Sequence, residues 1–383
     1  MQRKVTYLWR EPDAARPYRA AVSLHGHTNR SRESLYFIAE FANRHPLLRH
    51  ALAAKDREAQ RKSDIRLDLH RAYWTPPMPP LAALLAERNQ IEAKLNLTGM
   101  VSLTDHDNIE APMLLRVVPE ARQIPVSTEW SVPFRDTVLH IGIHNLPSAK
   151  AQGIMEQLLA FTANPAEEKL DGLLARLHEL PDVLIVLNHP MWDLAHIGAA
   201  RHSHTVGGFL ANYGMFVHAL ELGGLRSWEE NQRVVQLAEG WNQIVIAGGD
   251  RHGCEPSAVL NLTQAETFTE FTHEIRAKRL SHVLFMPQYA EPHRLRIVQT
   301  LLDIIREYPE FPEGWRRWDE RTFHPNSAGA MRPIWTLWQR TPRFIEAVLA
   351  GFRLFEVDSV RRTLQKTFGT PARELRFSLD EGQ

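Results

Sequence analysis

Short runs rich in β-branched and aliphatic residues, each closing on a polar cluster, alternate along the chain with stretches of helical periodicity. The runs are AAVSLHGHT (20–28), GMVSLTDHD (99–107), RQIPVSTEW (122–130), TVLHIGIHNL (137–146), DVLIVLNHP (182–190), HALELGG (218–224), QIVIAGGD (243–250) and SHVLFMP (281–287). Between them, segments such as AQGIMEQLLAFTA, EEKLDGLLARLHEL, SWEENQRVVQLAEGW and FTEFTHEIRAKRL bring apolar residues round every three or four positions, the period of a helix with one buried face. Strands apolar on both faces belong in a parallel sheet covered by helices, because only such a sheet keeps both faces from water. Seven or eight such units favour closure, so the expected fold is α/β, a closed barrel with its helices outside. An open doubly wound sheet is the alternative, but no Gly-rich dinucleotide fingerprint follows any of the runs.

Two segments break the rhythm. Residues 35–97 are too long for an ordinary connection and read as a helical insertion over one mouth of the barrel, with helical stretches flanking TPPMPP. After residue 292 strand signals cease, and RLRIVQTLLDIIREY, RPIWTLWQR, RFIEAVLAGFRLFEV and SVRRTLQKTF read as helices. The expected organisation is an N-terminal extension (1–19), a barrel (20–292) and a C-terminal helical region (293–383) serving as a lid or dimer face.

In a parallel barrel every strand end opens onto one face. His25 and His27 follow the first run, Asp105, His106 and Asp107 the second, and Glu129 the third. His140 lies on the fourth, His189 closes the fifth, and Asp250 with His252 follows the seventh. Side chains at i and i+2 of a strand share a face, so His25 with His27, and Asp250 with His252, can converge on one ion. So many imidazoles and carboxylates around one mouth would repel and desolvate one another, and divalent cations resolve that conflict. Singly, each signal has an ordinary explanation. TDHDN can cap a helix running through Ala111 and Leu114 by way of Asp107 or Asn108, NHP can end a strand, GGDRHG can be a Gly-rich loop, and His140 can be a core histidine. Their succession at strand ends favours metal.

HGHT, TDHDN, the lone Glu129, LHIG, NHP and GGDRHG, in that order, resemble the PHP (polymerase and histidinol phosphatase) family of metal-dependent phosphoesterases. The resemblance spans about residues 20–290, interrupted by 35–97. It implies a distorted (β/α)7 TIM-like barrel holding two or three divalent ions, manganese, zinc or iron. Carried over, it gives His25, His27, Glu129 and Asp250 to one ion, Glu129 with His140 and His189 to a second, and His106 with His252 to a third. A further family ligand falls on Glu33, where Asp or His is more usual. The implied reaction is hydrolysis of a phosphate ester by a hydroxide bridging the metals, with Asp105, Glu129, Asp250 and His252 at the chemistry. Asp105 suits the orienting of a ligand histidine, and Arg30, Arg32 and Arg251 suit a forked grip on phosphate. Glu221 reads as a ligand, a support for one, or a structural acid, while His202 and His204 are expected in solvent.

Lys plus Arg equals Asp plus Glu at 45 each, so no net field steers the chain toward nucleic acid or lipid. Nor is there a basic stripe interleaved with aromatics for an extended nucleic-acid grip. The expected partner is a phosphorylated small molecule or a nucleotide. Cys254 is the only cysteine, the N-terminal stretch lacks the apolar core of a signal peptide, and FIEAVLAGFRLF, broken by Glu346 and Arg353, is too short to span a bilayer. A cytoplasmic enzyme is expected. Two other readings remain at this point. One is a catalytically silent metal-binding module, which the filled ligand positions oppose. The other is an amidohydrolase acting on C–N bonds, which would call for a bridging lysine where this chain has Glu129.

Overall fold

The computed structural model describes residues 2–35 and 66–338, with scattered positions between 49 and 61 and between 350 and 367. Two five-stranded sheets form its centre. The first runs in the order β1 (Gln2–Tyr7), β12 (Leu280–Phe285), β11 (Val259–Thr263), β2 (Ala20–Gly26), β5 (Thr98–Leu103). The second runs β10 (Val245–Gly248), β9 (Ala219–Gly223), β8 (Leu184–Leu187), β7 (Thr137–Leu146), β6 (Val126–Phe134). Each of the eight apolar runs therefore contains a strand.

Neither sheet closes into a barrel, and both are mixed rather than parallel. Strands β6 and β7 are joined only by Arg135, with φ of 55°, and Asp136; a two-residue connection can make a hairpin but cannot make the crossover that parallel strands need. The sheets meet instead along two seams, by main-chain hydrogen bonds at strand ends. Gly249 N–H donates to Leu24 O (2.8 Å) and His27 N–H to Arg251 O (2.9 Å), while Asp107 N–H donates to Glu129 O (2.9 Å). Elsewhere a side chain replaces a ladder. Asn261 on β11 accepts from Ala247 N–H (2.8 Å) and donates to Ala247 O (2.9 Å).

Residues 2–7, expected outside the barrel region, form an edge strand parallel to β12, and VLNLT at 259–263, absent from the eight runs, is a strand antiparallel to both neighbours. The expected helices α3 (Ser148–Ala163) and α4 (Glu167–His178) form. So does α6 (Trp228–Gly240), whose Ser227 side chain accepts from Glu230 N–H, with Glu229 and Glu230 favourably placed in the first turn. RHSHTVGG, the segment carrying His202 and His204, belongs to helix α5 (Ala199–Tyr213). Its Gly208 lies so close to Arg135 that a Cβ there would come within 2.6 Å of the guanidinium. The TDHDN segment precedes α2 (Glu110–Leu115); of the two expected caps, Asn108 accepts from Glu110 N–H, whereas Asp107 accepts from Ser131 N–H across to β6. The core between β6–β9 and α3–α5 is centred on the fully buried Trp130 and on Phe134, Phe209 and Leu187.

The insertion contributes β4 (Tyr73–Trp74) and α1 (Pro80–Leu95), the helix expected after TPPMPP; most of the stretch expected before it lies outside the described residues. The C-terminal region is not purely helical. It contains α8 (His293–Ile305) and then β13 (Thr322–Pro325), β14 (Met331–Pro333) and the short α9 (Trp335–Trp338). The two strands join β4 and β3 (Glu33–Ser34) in a third sheet ordered β14-β13-β4-β3. The local alternation in RTFHP was too short to register as a strand against its helical neighbours. RFIEAVLAGFRLFEV and SVRRTLQKTF lie almost wholly outside the described residues, among which no helix is long and apolar enough to cross a membrane.

His218, entering β9, accepts from Ile185 N–H at Nδ1 (2.9 Å) and meets His178 Nδ1 through Nε2 (3.0 Å). Burial, with Arg276 and His178 nearby, pushes its pKa down to about 3. An unfolded imidazole takes up its proton near pH 6.5 and the folded one refuses it, so this contribution to stability is complete above that pH and declines as pH falls toward 3. Between pH 7 and pH 5 the loss from this residue alone is about 2 kcal/mol. In urea titrations at the two pH values, His218→Asn should reduce the wild-type difference by about that amount; an unchanged difference would show that His218 is charged in the fold.

Candidate metal centre

The seams between the sheets are where the ionisable residues gather. His25 ends β2, His106 follows β5, Glu129 lies four residues into β6, His140 lies four residues into β7, His189 follows β8, and Asp250 and His252 follow β10. Because β7 runs antiparallel to its neighbours, it brings a residue near its start to the face that the other strands reach near their ends. Simple alternation does not deliver the histidine pair. Pairing of β2 with β5 slips between Leu24 and Gly26, and His25 takes a left-handed φ of 60°. His189 (φ 27°) and Asp250 (φ 50°) share that region, which costs a non-glycine residue roughly 1 kcal/mol or more and persists where the surrounding structure imposes it.

Glu129 is the centre of the cluster. Its Oε2 lies 3.1 Å from His25 Nε2, 3.3 Å from His27 Nε2 and 3.3 Å from His106 Nε2. Its Oε1 faces His189 Nε2 (3.1 Å) and His140 Nδ1 (3.4 Å) and accepts from Asn188 Nδ2 (2.9 Å). Asp250 Oδ1 stands 3.6 Å from both His25 Nε2 and His27 Nε2 and 3.4 Å from His252 Nδ1. Glu33 completes a further group, with Oε2 3.2 Å from both His106 Nε2 and His252 Nε2, and Oε1 3.6 Å from His27 Nδ1. All the expected ligand residues are therefore together. They form overlapping sets with metal-ligand spacing: His27, Glu33, His106 and His252; His25, His27 and Glu129; His25, His189 and Asp250; His106, Glu129 and His140.

The donor set suits divalent cations of intermediate softness, being imidazole and carboxylate throughout. Within it, His25 Nε2, His27 Nε2 and Glu129 Oε2 are buried, face one another and have no hydrogen-bond partner. Buried polar atoms are rarely left so, whereas atoms that bind a cation point inward with nothing between them. Burial opposes charge on these groups, but their mutual field prevails. Against burial, His25, His106 and His140 hold Glu129 well below the usual carboxylate range. Against burial, Glu33 and Glu129 raise His106 to about 10. His189 is different, since burial, with Arg226 nearby, pushes it down to about 3 and leaves a neutral imidazole ready to ligate.

Several expected roles fall elsewhere. Asp105 orients no histidine; its oxygens accept from Thr28 N–H (2.6 Å) and Thr28 Oγ1 (2.7 Å), fixing the turn that follows HGH. Arg251 is buried and turned away from the mouth, with Nε 3.0 Å from Glu87 and its other nitrogens on Gly253 O and His27 O, so it braces the seam rather than gripping phosphate. Arg30 pairs with Glu110 (2.7 Å) and Arg32 lies over the Tyr73 ring (5.4 Å). His202, expected in solvent, is buried and donates from Nε2 to Pro190 O (3.0 Å), whereas His204 is exposed. A small cavity beside the cluster is lined by His140, Asn188, His189, Trp192, Leu194 and His202.

Other residues were not foreseen. Arg226 pairs with Asp250 Oδ2 and lies over the Trp192 ring, 4.0 Å from its centroid. Its one sequence signal was position, two residues past LELGG. Glu221, left open above, is 2.5 Å from His25 Nδ1 through Oε2, so it holds the ring whose other nitrogen faces Glu129. Gly248 makes room for it, because a Cβ there would come within 2.2 Å of the same carboxylate.

No protein-family model matches the chain, and neither does any curated protein. Among solved structures, the chain is similar to an amidohydrolase from Chromobacterium violaceum determined with bound sulfate and no metal, at 12% identity and a TM-score of 0.35 over 60% of this chain and 87% of that one. It is also similar to a protein assigned as a metal-dependent phosphoesterase from Bifidobacterium adolescentis, at 14% identity and a TM-score of 0.31 over 52% of this chain and 91% of that one.

Glu221→Gln keeps an oxygen facing His25 Nδ1 but removes the charge. Divalent-metal affinity, read by competition with a chromogenic chelator, should fall by about 10–100-fold with the circular dichroism spectrum unchanged. Unaltered affinity would mean that Glu221 only fills space.

Proposed function

We propose that the chain is a metal-dependent phosphoesterase of the PHP type. The observation that carries this reading is Glu129, a carboxylate whose two oxygens each face a separate group of imidazoles, as a bridge between neighbouring cations requires. His25, His27 and Asp250 would hold one ion, His140 and His189 a second, and Glu33, His106 and His252 a third, with manganese, zinc or iron fitting the donors. Bound there, dications lower the pKa of water and neutralise the charge that develops on a phosphoryl group in displacement.

The chain's own residues supply the rest. Glu221 and Asn188 fix the orientations of His25 and Glu129, so the ligands do not have to reorganise during turnover. Arg226, held by Asp250 and backed by Trp192, places a permanent positive charge at the rim and replaces Arg251 in the expected phosphate-binding role. Trp192 and Leu194 give the adjoining cavity an apolar wall suited to the organic part of a small ester. We take the substrate to be a phosphorylated small molecule or a nucleotide in the cytoplasm, the compartment that a single free thiol fits. A carboxylate in the bridging position, where an amidohydrolase of C–N bonds would call for lysine, supports phosphate ester over amide.

Protein treated with chelator and then restored with Mn²⁺ or Zn²⁺ should hydrolyse p-nitrophenyl phosphate only after restoration. Glu129→Gln should lower kcat by about a thousandfold, equivalent to roughly 4 kcal/mol of lost charge stabilisation. Full turnover in the chelated protein or in this variant would reject the proposal.

A further inference from the structure

We propose that the C-terminal strand β13 is a working part of the third cation site, because it holds in place the short strand that carries Glu33. The inference rests on the reading that Glu33, His106 and His252 share a divalent ion. Glu33 differs from the other ligands in where it stands. His25, Glu129, His140, His189 and Asp250 are fixed on or beside the two central sheets, whereas Glu33 belongs to β3, a strand of two residues in the small third sheet.

An isolated pair of strands is at best marginal in water, and one of two residues has almost nothing to hold it. Here Glu33 pairs with Trp74 and Ser34 with Tyr73, and β4 pairs on its other edge with β13, through Trp74 with Thr322 and Tyr73 with Phe323. Thr75 N–H donates to Arg321 O (2.9 Å), and Asp68 N–H donates to His324 Nε2 (2.7 Å). Phe323 stacks on Tyr73, with centroids 4.9 Å apart and planes 19° apart, and Arg32 lies over the same Tyr73 ring at 5.4 Å. Arg30, three residues before Glu33, lies over Trp315 of the C-terminal region (5.9 Å). Trp74 also reaches the site itself, 5.8 Å from the His252 ring.

The third ion is thereby conditional on pairing between segments about 250 residues apart in sequence, Tyr73 with Phe323, while the ligands around Glu129 are not. Phe323 is a positioning residue. Removing it should loosen Glu33 and leave the other ions in place.

The test is Mn²⁺ binding to the full-length chain by isothermal titration calorimetry, with bound metal counted by elemental analysis after gel filtration. Wild-type protein should bind three ions. Phe323→Ala should weaken one of them by about 10–100-fold and leave two at wild-type affinity, as Glu33→Gln should also do. Phe323→Tyr, which keeps the stacked ring, should restore the third. If Phe323→Ala does not yield folded protein, Tyr73→Leu removes the other ring and should give the same two-ion result. An unchanged third ion in the ring-deleting variant, equal weakening of every ion, or a wild-type stoichiometry of two would each overturn the inference. Three ions without hydrolysis of any phosphate ester would leave this inference standing and defeat the proposed activity alone.

Discussion

A carboxylate buried beyond the reach of water is the constraint around which this molecule is organised. Glu129 is wholly inaccessible and yet stays ionised, which in an apolar interior would be prohibitive without compensating charge within a few ångströms. Compensation comes from imidazoles placed on both its oxygens, and those rings are themselves raised above their ordinary pKa by the same contacts at His25 and His106. Protons and dications can play the same electrostatic part there. Cations play it with far greater charge density, and they also satisfy lone pairs at His25, His27 and Glu129 that no hydrogen bond meets.

That requirement explains where the sheets join. Continuous ladders across both seams would have closed a barrel, but side chains near the seams turn inward, and two of them, His25 and Asp250, do so on left-handed backbone. A residue in that conformation interrupts a ladder. The main-chain bonds that remain, Gly249 to Leu24, His27 to Arg251 and Asp107 to Glu129, immediately flank the ligands, so the same backbone segments hold the sheets together and set the distances within the cluster. Gly248 and Gly142 belong to this arrangement, because a Cβ at either would strike Glu221 or Asn188, the groups that orient His25 and Glu129.

Most residues of the cluster were legible in the sequence because they sit at a change from apolar run to polar cluster, and that change survives whatever direction the strands take. His140 shows the limit. It was expected on a parallel strand and lies on an antiparallel one, a distinction made by the two residues Arg135 and Asp136 rather than by any periodic pattern. Cap residues and arginines were less readable, since their partners are remote in sequence. Arg251 sits next to Asp250, yet its guanidinium turns toward Glu87 on α1, 164 positions earlier, and Arg226 carries no motif although it touches Asp250 directly. Strand β11 was hidden because VLNLT follows so closely on GGDRHG that the two merged into one apparent loop.

The insertion and the C-terminal region, read separately as helical additions, are structurally one element. Neither could build a sheet alone, since β3 and β4 have two residues each and β14 only three. Paired, and joined by β3, they lie beside His252 in the cluster, to which the assembled sheet brings the Glu33 carboxylate and the Trp74 indole. The cover acts on chemistry as well as access, because excluding water strengthens every charge interaction beneath it. The chain thus divides its cluster of imidazoles and carboxylates into a part fixed by the two large sheets and a part that depends on residues far apart in sequence having found one another.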